Sequence, residues 1–368
     1  MRLAVVLEQC LSPVPGGTGR YSREIAVALA RTTGPQDEVA GVVAWHRDTG
    51  AARVPGVRGP HRLPLPRRAL VAAWERGRGP RVRADVVLAP TPLWPGPGGP
   101  PSVVVVHDAV PWTHPETLTA RGARWHRRVV TSAARSAALV VVPTSAVADE
   151  LARHLPLREV LVVGEGVSSE LAVPSDARLR AARLALPDRF LLTVATLEPR
   201  KGLDVLLQAL AEPSAPDLPL LCAGQPGWGG QDPRALAAAA GLPAERVRLL
   251  GRVDDADLAV LLDRATAVVV PSRAEGFGLP VLEAMAAGTP VVTSDAPALV
   301  EVGGGATRVS PLVPAELATA LHEVVSDADV RGRMAAAGRA RAGAFSWGAA
   351  AERLWAAVRA VHSGRPAV

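Results

Sequence analysis

Short apolar runs recur along the chain, and most are followed by a stretch whose apolar residues fall three or four apart. Leu3–Leu7 is the first run; a turn-rich loop from Ser12 to Gly19 follows, and from Arg20 to about Arg31 the positions of Ile25, Leu29 and the alanines mark one face of a helix. The same reading predicts strands at Glu38–Ala44, Asp85–Ala89, Val103–Val106, Leu139–Val142 and Val160–Val163, with helices at about 120–137 and 145–154. Between them Pro92 to Pro101 is too rich in proline and glycine to join a core. A polar, interrupted stretch from Pro174 to Pro187 breaks the rhythm, which then restarts. Strands are expected at Phe190–Val194, Leu218–Cys222, Val247–Leu250, Ala267–Val270, Val291–Val292 and Thr307–Val309. Helices start at Gly202, Pro233, after the cap Asp254, and at Pro280; the tail is helical from Pro314 and ends in a long helix, Phe345–His362. Buried strands alternating with helices make a parallel sheet covered on both faces. The expected fold class is α/β, with two doubly wound halves, residues 1–172 and 173–344, and ligands at the carboxyl ends of the strands in the cleft between them.

Composition narrows this picture. The chain of 368 residues is long enough for two cores, and no apolar run approaches the roughly 20 residues of a membrane span. Met1 to Leu7 lacks the longer apolar core and cleavage site of a signal peptide. Cys10 and Cys222 lie too far apart in sequence to suggest a disulfide framework or a metal motif, so a reducing cytoplasm is the expected location. Charge is uneven: residues 1–172 hold 21 Arg against 14 acids, +7, and the remainder 20 basic against 21 acidic residues, −1. The excess suits an anionic partner of the first half, or simply solvated arginines. The Arg-rich stretch from Arg67 to Arg83, interleaved with Leu70, Val71 and Trp74, has the composition of a membrane-surface helix, but Gly77, Gly79 and Pro80 interrupt it.

Four stretches carry candidate chemistry. Pro271-Ser-Arg-Ala-Glu-Gly-Phe-Gly-Leu-Pro280 follows a buried strand and opens a helix, so the amides of Phe277, Gly278 and Leu279 form an anion cradle bracketed by Glu275 and Glu283. Two such acids can be a hydrolase pair or can grip hydroxyls. Thr193 to Gly202 sets Arg200 and Lys201, the only lysine, at another helix start, where two cations can neutralise a diphosphate. Pro15-Gly-Gly-Thr-Gly-Arg-Tyr21 lets backbone N–H groups approach a phosphate, although it lacks the G-x-G-x-x-G spacing. Val103 to Pro111 puts His107 and Asp108 at a strand end, where an imidazole can bond a substrate hydroxyl or the pair can merely cap the strand. Asp255, Asp257, Asp327 and Asp329 lie at helix starts and read as caps, so no metal site is expected.

Together these motifs resemble the family 4 retaining glycosyltransferases of the GT-B fold, over nearly the whole chain. The most specific match runs from Leu249-Leu-Gly-Arg-Val-Asp-Asp255 to Ser272–Val292, where Glu275 and Glu283 fit the family's paired glutamates. The resemblance implies two Rossmann-like domains facing each other across a cleft, with helix 345–368 packing back on the first. It implies a nucleotide-diphosphate sugar donor held by the second domain and a hydroxyl acceptor, free or lipid-linked, held by the first. Glu283 would then bind the ribose, Glu275 the transferred sugar, Phe277, Gly278 and Leu279 the sugar and phosphate, and Val253 the base. Arg200, Lys201 and the amide of Gly17 would hold the diphosphate, and His107 would touch the sugar; Glu275 and His107 are the expected catalytic residues. No cofactor and no metal are implied, and no nucleic acid; peripheral contact with an anionic membrane fits the basic half. One departure is Ala195-Thr196, where many members carry an arginine. The alternatives are a GT-B phosphorylase or sugar-phosphate enzyme, and a non-catalytic nucleotide-sugar-binding subunit.

Overall fold

The structure, a computed structural model, describes residues 1–367. The chain divides into two compact units: one holds Met1–Thr113, Ala120–Gly166 and the C-terminal segment from Ser346, and the other holds His114–Thr119 and Val167–Phe345.

The first unit is built on a seven-stranded parallel sheet in the order β3-β2-β1-β4-β5-β6-β7. Its strands are β1 (Arg2–Val6), β2 (Glu38–Trp45), β3 (Arg58–Pro66), β4 (Val86–Ala89), β5 (Ser102–Val105), β6 (Leu139–Val142) and β7 (Val160–Val162). The helices between them are α1 (Gly16–Arg31), α2 (Arg67–Glu75), α3 (Val110–Thr113), α4 (Ala120–Ser136) and α5 (Ser145–Ala152). After the opening Arg2 of β1 and Ser102 of β5, strands β1, β4, β5 and β6 are runs of valine, leucine and alanine buried on both faces, as a sheet sandwiched between helices requires.

Three features depart from expectation. Strand β3, RGPHRLPLP, has no apolar run; it survives with three prolines because it is the sheet edge, where only one side of the backbone must pair. Helix α1 begins at Gly16 rather than Arg20, so the glycines form its first turn. Helix α2 also corrects the membrane-helix reading of residues 67–83: it stops at Glu75, and its Leu70 and Trp74 are buried in the core beside Leu63, Leu93 and Trp94.

The second unit repeats the frame with six strands, β8 (Leu191–Val194), β9 (Leu220–Ala223), β10 (Val247–Gly251), β11 (Ala267–Val270), β12 (Val291–Ser294) and β13 (Arg308–Ser310), ordered β10-β9-β8-β11-β12-β13. Counted within each unit, both sheets therefore share the order 3-2-1-4-5-6, the doubly wound Rossmann order, and the first adds β7 beyond it. Helices α6 (Ala177–Arg183), α7 (Leu203–Ala211), α8 (Pro233–Ala239), α9 (Asp255–Arg264), α10 (Leu279–Ala287), α11 (Pro297–Gly303), α12 (Pro314–Ser326) and α13 (Ala328–Ala342) complete it. The core places Leu206, Leu207 and Leu210 of α7 and Leu317, Leu321 and Val324 of α12 over Val269 and Val292 of the sheet.

The last helix, α14 (Trp347–His362), belongs to the first unit. Ser346 caps it, its hydroxyl accepting from Ala349 N–H at 3.1 Å. Trp355, 2% exposed, donates its indole N–H to the Leu29 carbonyl of α1 at 3.0 Å. Both thiols, Cys10 and Cys222, are buried and unpaired. Among the described residues no helix is long and apolar enough to cross a membrane.

Candidate active site

In a sheet of this order the crevice for a ligand opens where neighbouring strands send their connections to opposite faces, at the carboxyl ends of the first and fourth strands. In the second unit these are β8 and β11, and the candidate residues gather there. The loop after β8 carries Glu198, Arg200 and Lys201; the loop after β11 carries Ser272 and Glu275. The loops are pressed together at Gly202, whose φ of +65° is left-handed and whose missing Cβ would lie 1.9 Å from the Pro271 carbonyl oxygen. Arg273 clamps them, donating twice to Asp204 at 2.9 and 2.6 Å and once to the Pro199 carbonyl at 2.7 Å.

That clamp brings four ionisable side chains into one cluster. Arg200 donates to Glu275 at 3.0 Å, to the Ala274 carbonyl at 2.8 Å and to Glu198 at 2.8 Å. The Lys201 ammonium donates to the other oxygen of Glu275, which also accepts from the Ser272 hydroxyl at 2.8 Å. Burial alone would raise the pKa of Glu275, but the charges of Lys201 and Arg200 outweigh it and hold the carboxyl down at about 2. Glu198 goes the other way: only 2% exposed, it is raised by burial more than Arg200 and Lys201 pull it down, and its Oε2 has no hydrogen-bond partner. With both carboxylates ionised the cluster sums to zero charge. Arg200 is thus turned toward carboxylates and a carbonyl, a constraint not apparent from the sequence.

Helix α10 starts beside this cluster. Gly278 is its N-cap at φ +93°, and a side chain there would strike Leu299. The amides of Phe277, Gly278 and Leu279 therefore lie at a helix N-terminus, favourable to an anion. The Phe277 ring is buried edge-on to Phe345 at 5.5 Å, with the Arg341 guanidinium 4.8 Å over the Phe345 ring. Glu283, one turn into α10, is 4% exposed. Val253 lies half-buried between Gly251 and Asp254, which caps α9 by accepting from Asp257 N–H at 2.7 Å. Gly251 accepts from Gly224 N–H at 2.8 Å, and Gly224 in turn abuts the Ala195 carbonyl, so the ends of β8, β9 and β10 are side by side.

The remaining candidates, His107 and Gly17, belong to the first unit. Gly17 is exposed in the first turn of α1, whose N-cap, Pro15, supplies no side-chain bond. His107 follows β5 with its side chain 13% exposed. Its Nε2 is 2.8 Å from the Pro90 carbonyl oxygen, its Nδ1 is 3.7 Å from Glu165 Oε1, and its ring stands edge-on to Tyr21 at 4.7 Å. Asp108 caps α3, accepting from Val110 N–H at 3.1 Å. Glu198, Ser272 and Glu165 were missed from sequence. Glu198 and Ser272 each lie within three residues of a predicted site residue, and Glu165 sits between two glycines after a predicted strand, which are the signals that were available. Among the described residues no group of three or more His, Cys, Asp or Glu is arranged to hold a metal ion.

Comparison with known proteins identifies this architecture. Residues 176–341 match the model of glycosyl transferases group 1, and residues 15–171 that of Glycosyltransferase Family 4. The O-antigen chain mannosyltransferase B of Escherichia coli is 31% identical over 261 residues, 67% of each chain. A D-inositol 3-phosphate glycosyltransferase of Frankia alni is 37% identical over 228 residues, 56% of this chain and about half, 54%, of that protein. Among solved structures, sucrose-phosphate synthase of Thermosynechococcus elongatus superposes with a TM-score of 0.81 at 22% identity, over 99% of this chain and 100% of that one. HepE of Anabaena, in complex with UDP-glucose, gives 0.73 at 21% identity over 96% and 98%. The fold is GT-B. The chain belongs to glycosyltransferase family 4, and its activity is glycosyl transfer.

Proposed function

We propose that the protein moves a hexose-type sugar from a nucleoside-diphosphate sugar to a hydroxyl acceptor, with retention of anomeric configuration and without a metal ion. The observation that carries this reading is the Glu275 cluster at the start of α10: a carboxylate fixed by a lysine and an arginine, beside a helix N-terminus and a second buried glutamate, Glu283. A diphosphate suits the amides of α10 and the Lys201 ammonium, a ribose diol suits Glu283, and a sugar hydroxyl suits Glu275. Arg200 acts on the diphosphate through its charge, since its guanidinium donates to Glu198, Glu275 and the Ala274 carbonyl. Val253 offers backbone to the base. His107 and the Gly17 amide are the first unit's share, serving the sugar and the diphosphate.

Glu275, tied to two cations, is a poor nucleophile for a double displacement, so retention in this reading comes from attack by the acceptor on the face the diphosphate leaves. The departing diphosphate takes the acceptor's proton on the face it leaves, and Lys201 stabilises the charge that develops there. The first unit, with the terminal helix, is assigned to the acceptor. Arg121, Arg124, Arg128 and Arg135 are exposed at helical spacing along α4, which suits a lipid-linked acceptor or an anionic membrane surface. Thermal shifts with UDP-, GDP- and dTDP-sugars test the donor, since ligand binding to the folded state raises its stability by mass action. A flat panel would overturn the donor assignment, and an inverted anomer in the product would overturn retention. Flotation with anionic liposomes at low salt tests the membrane contact, and a protein left in the pellet fraction refutes it.

A further inference from the structure

The His107 imidazole is enclosed in an arrangement that decides its charge. Nε2 faces the Pro90 carbonyl, a group that only accepts, so this nitrogen carries a hydrogen. Nδ1 faces a carboxylate oxygen of Glu165 at 3.7 Å. A neutral ring protonated on Nε2 would point its Nδ1 lone pair at that carboxylate. The other titratable groups around the ring are Tyr21 of α1, edge-on to it, and Asp108 of its own loop. Tyr21 is fully buried; burial and the nearby Glu165 charge push its phenol far above its ordinary value, so it stays neutral. Asp108 adds a second negative field while it caps α3. Burial opposes the charged ring, yet Glu165, the Pro90 carbonyl and Asp108 together outweigh it, and the His107 pKa is raised.

The carboxylate is held in place by packing. Glu165 is 4% exposed, and at the next position a Cβ on Gly166 would lie 2.3 Å from the backbone nitrogen of Trp347. Trp347 in turn stands edge-on to Tyr21 at 5.6 Å, so the loop after β7, α1 and the start of α14 support one another around the histidine.

We propose that Glu165 is a positioning residue that keeps His107 as an imidazolium, so that His107 enters glycosyl transfer as a fixed cation and never as a base. Its consequence for the reaction rests on the functional reading above; the charge itself does not. A protonated imidazole cannot take the acceptor's proton, and that proton must leave by another group.

Nuclear magnetic resonance of ring-labelled histidines in the free protein tests the charge without any ligand, with the His107 signal identified by its loss in His107→Gln. The wild-type signal is expected to titrate above the ordinary value of about 6.5, and that of Glu165→Gln at least about one unit lower, a tenfold change in proton affinity. Glu165→Asp, which keeps a carboxylate, should fall between them and serves if the glutamine variant fails to fold. Equal midpoints in wild type and Glu165→Gln would overturn the proposal. Turnover of whichever nucleotide sugar most stabilises the fold should fall as pH rises through the wild-type midpoint, and at lower pH in Glu165→Gln. A rate that instead rises through that midpoint would also overturn it, because His107 would then act as a base. A shifted titration with an unmoved rate profile upholds the charge coupling and removes His107 from the donor site.

Discussion

At the ends of β8 and β11 two carboxylates and two cations are hydrogen-bonded into one cluster, whereas the equivalent ends of β1 and β4 offer glycine amides, the Pro90 carbonyl and a histidine drawn from β5. The strand order beneath them is the same. The contrast shows that the shared frame determines where a ligand crevice opens and leaves its electrostatics to the loops. In the second unit Glu275 is neutralised by Arg200 and Lys201 of the neighbouring loop and Glu198 by Arg200 of its own, so removing one member leaves another uncompensated in a poorly solvated place. In the first unit the pair of His107 and Glu165 has Tyr21 and Asp108 beside it.

The sharpest way to break this contrast is Lys201→Ala. It should lower kcat/KM about 100- to 1,000-fold, the range for losing a preorganised donor to developing charge, and Lys201→Arg should not restore it. A change within about threefold would show that the cluster is only structural. Next come two glycines that hold the loops together. Gly202→Ala forces a Cβ into the Pro271 carbonyl at a left-handed φ, and Gly166→Ala forces one into the backbone of Trp347. Each should cost about 2–3 kcal/mol in thermal unfolding, the first in the second unit and the second in the first.

The pH dependence of stability should separate the units by sign. The folded pKa of Glu275 lies below its ordinary value, so its contribution is present above about 4.5 and is lost as pH falls toward about 2. The folded pKa of His107 is raised, so its contribution is present below about 6.5 and is lost as pH rises through the folded value. Glu275→Gln should accordingly flatten the acid side of the Tm profile by the equivalent of about 3 kcal/mol, and His107→Gln the alkaline side by less. The smallest expected effect is Phe345→Ala, which removes the edge contact to Phe277 and should cost about 1 kcal/mol, with a weaker donor KM if Phe277 shifts.

Much of the fold was legible because a buried parallel strand leaves a plain trace: Val103–Val106 and Ala267–Val270 are uninterrupted apolar runs flanked by helix-starting residues. Strand β3 left no such trace, since an edge strand needs neither two apolar faces nor freedom from proline. The glycines at the start of α1 read as a turn because propensity disfavours them in helices, but a first turn makes few internal bonds and tolerates them. The unit boundary, expected at 172, falls at Gly166, and the segment His114–Thr119 groups with the second unit although the chain on both sides of it lies in the first. At the site, Glu275 and Lys201 stood out by motif and by rarity. Their pairing did not, because it depends on two loops 74 residues apart being pressed together at Gly202. Glu165 escaped notice for the same reason: its meaning lies in what faces it.

The first unit is discontinuous: α14 completes it only after all 179 residues of Val167–Phe345 have been translated. During synthesis, then, the second unit can emerge whole and fold while the first still lacks the helix that covers α1. The carbonyl of Leu29 and the ring of Tyr21 must wait for Trp355 and Trp347. At roughly 5–20 residues per second that interval is on the order of ten to forty seconds, during which a nascent chain exposes the flank of α1 that carries Tyr21 and the Leu29 carbonyl to chaperones and to its neighbours on the polysome.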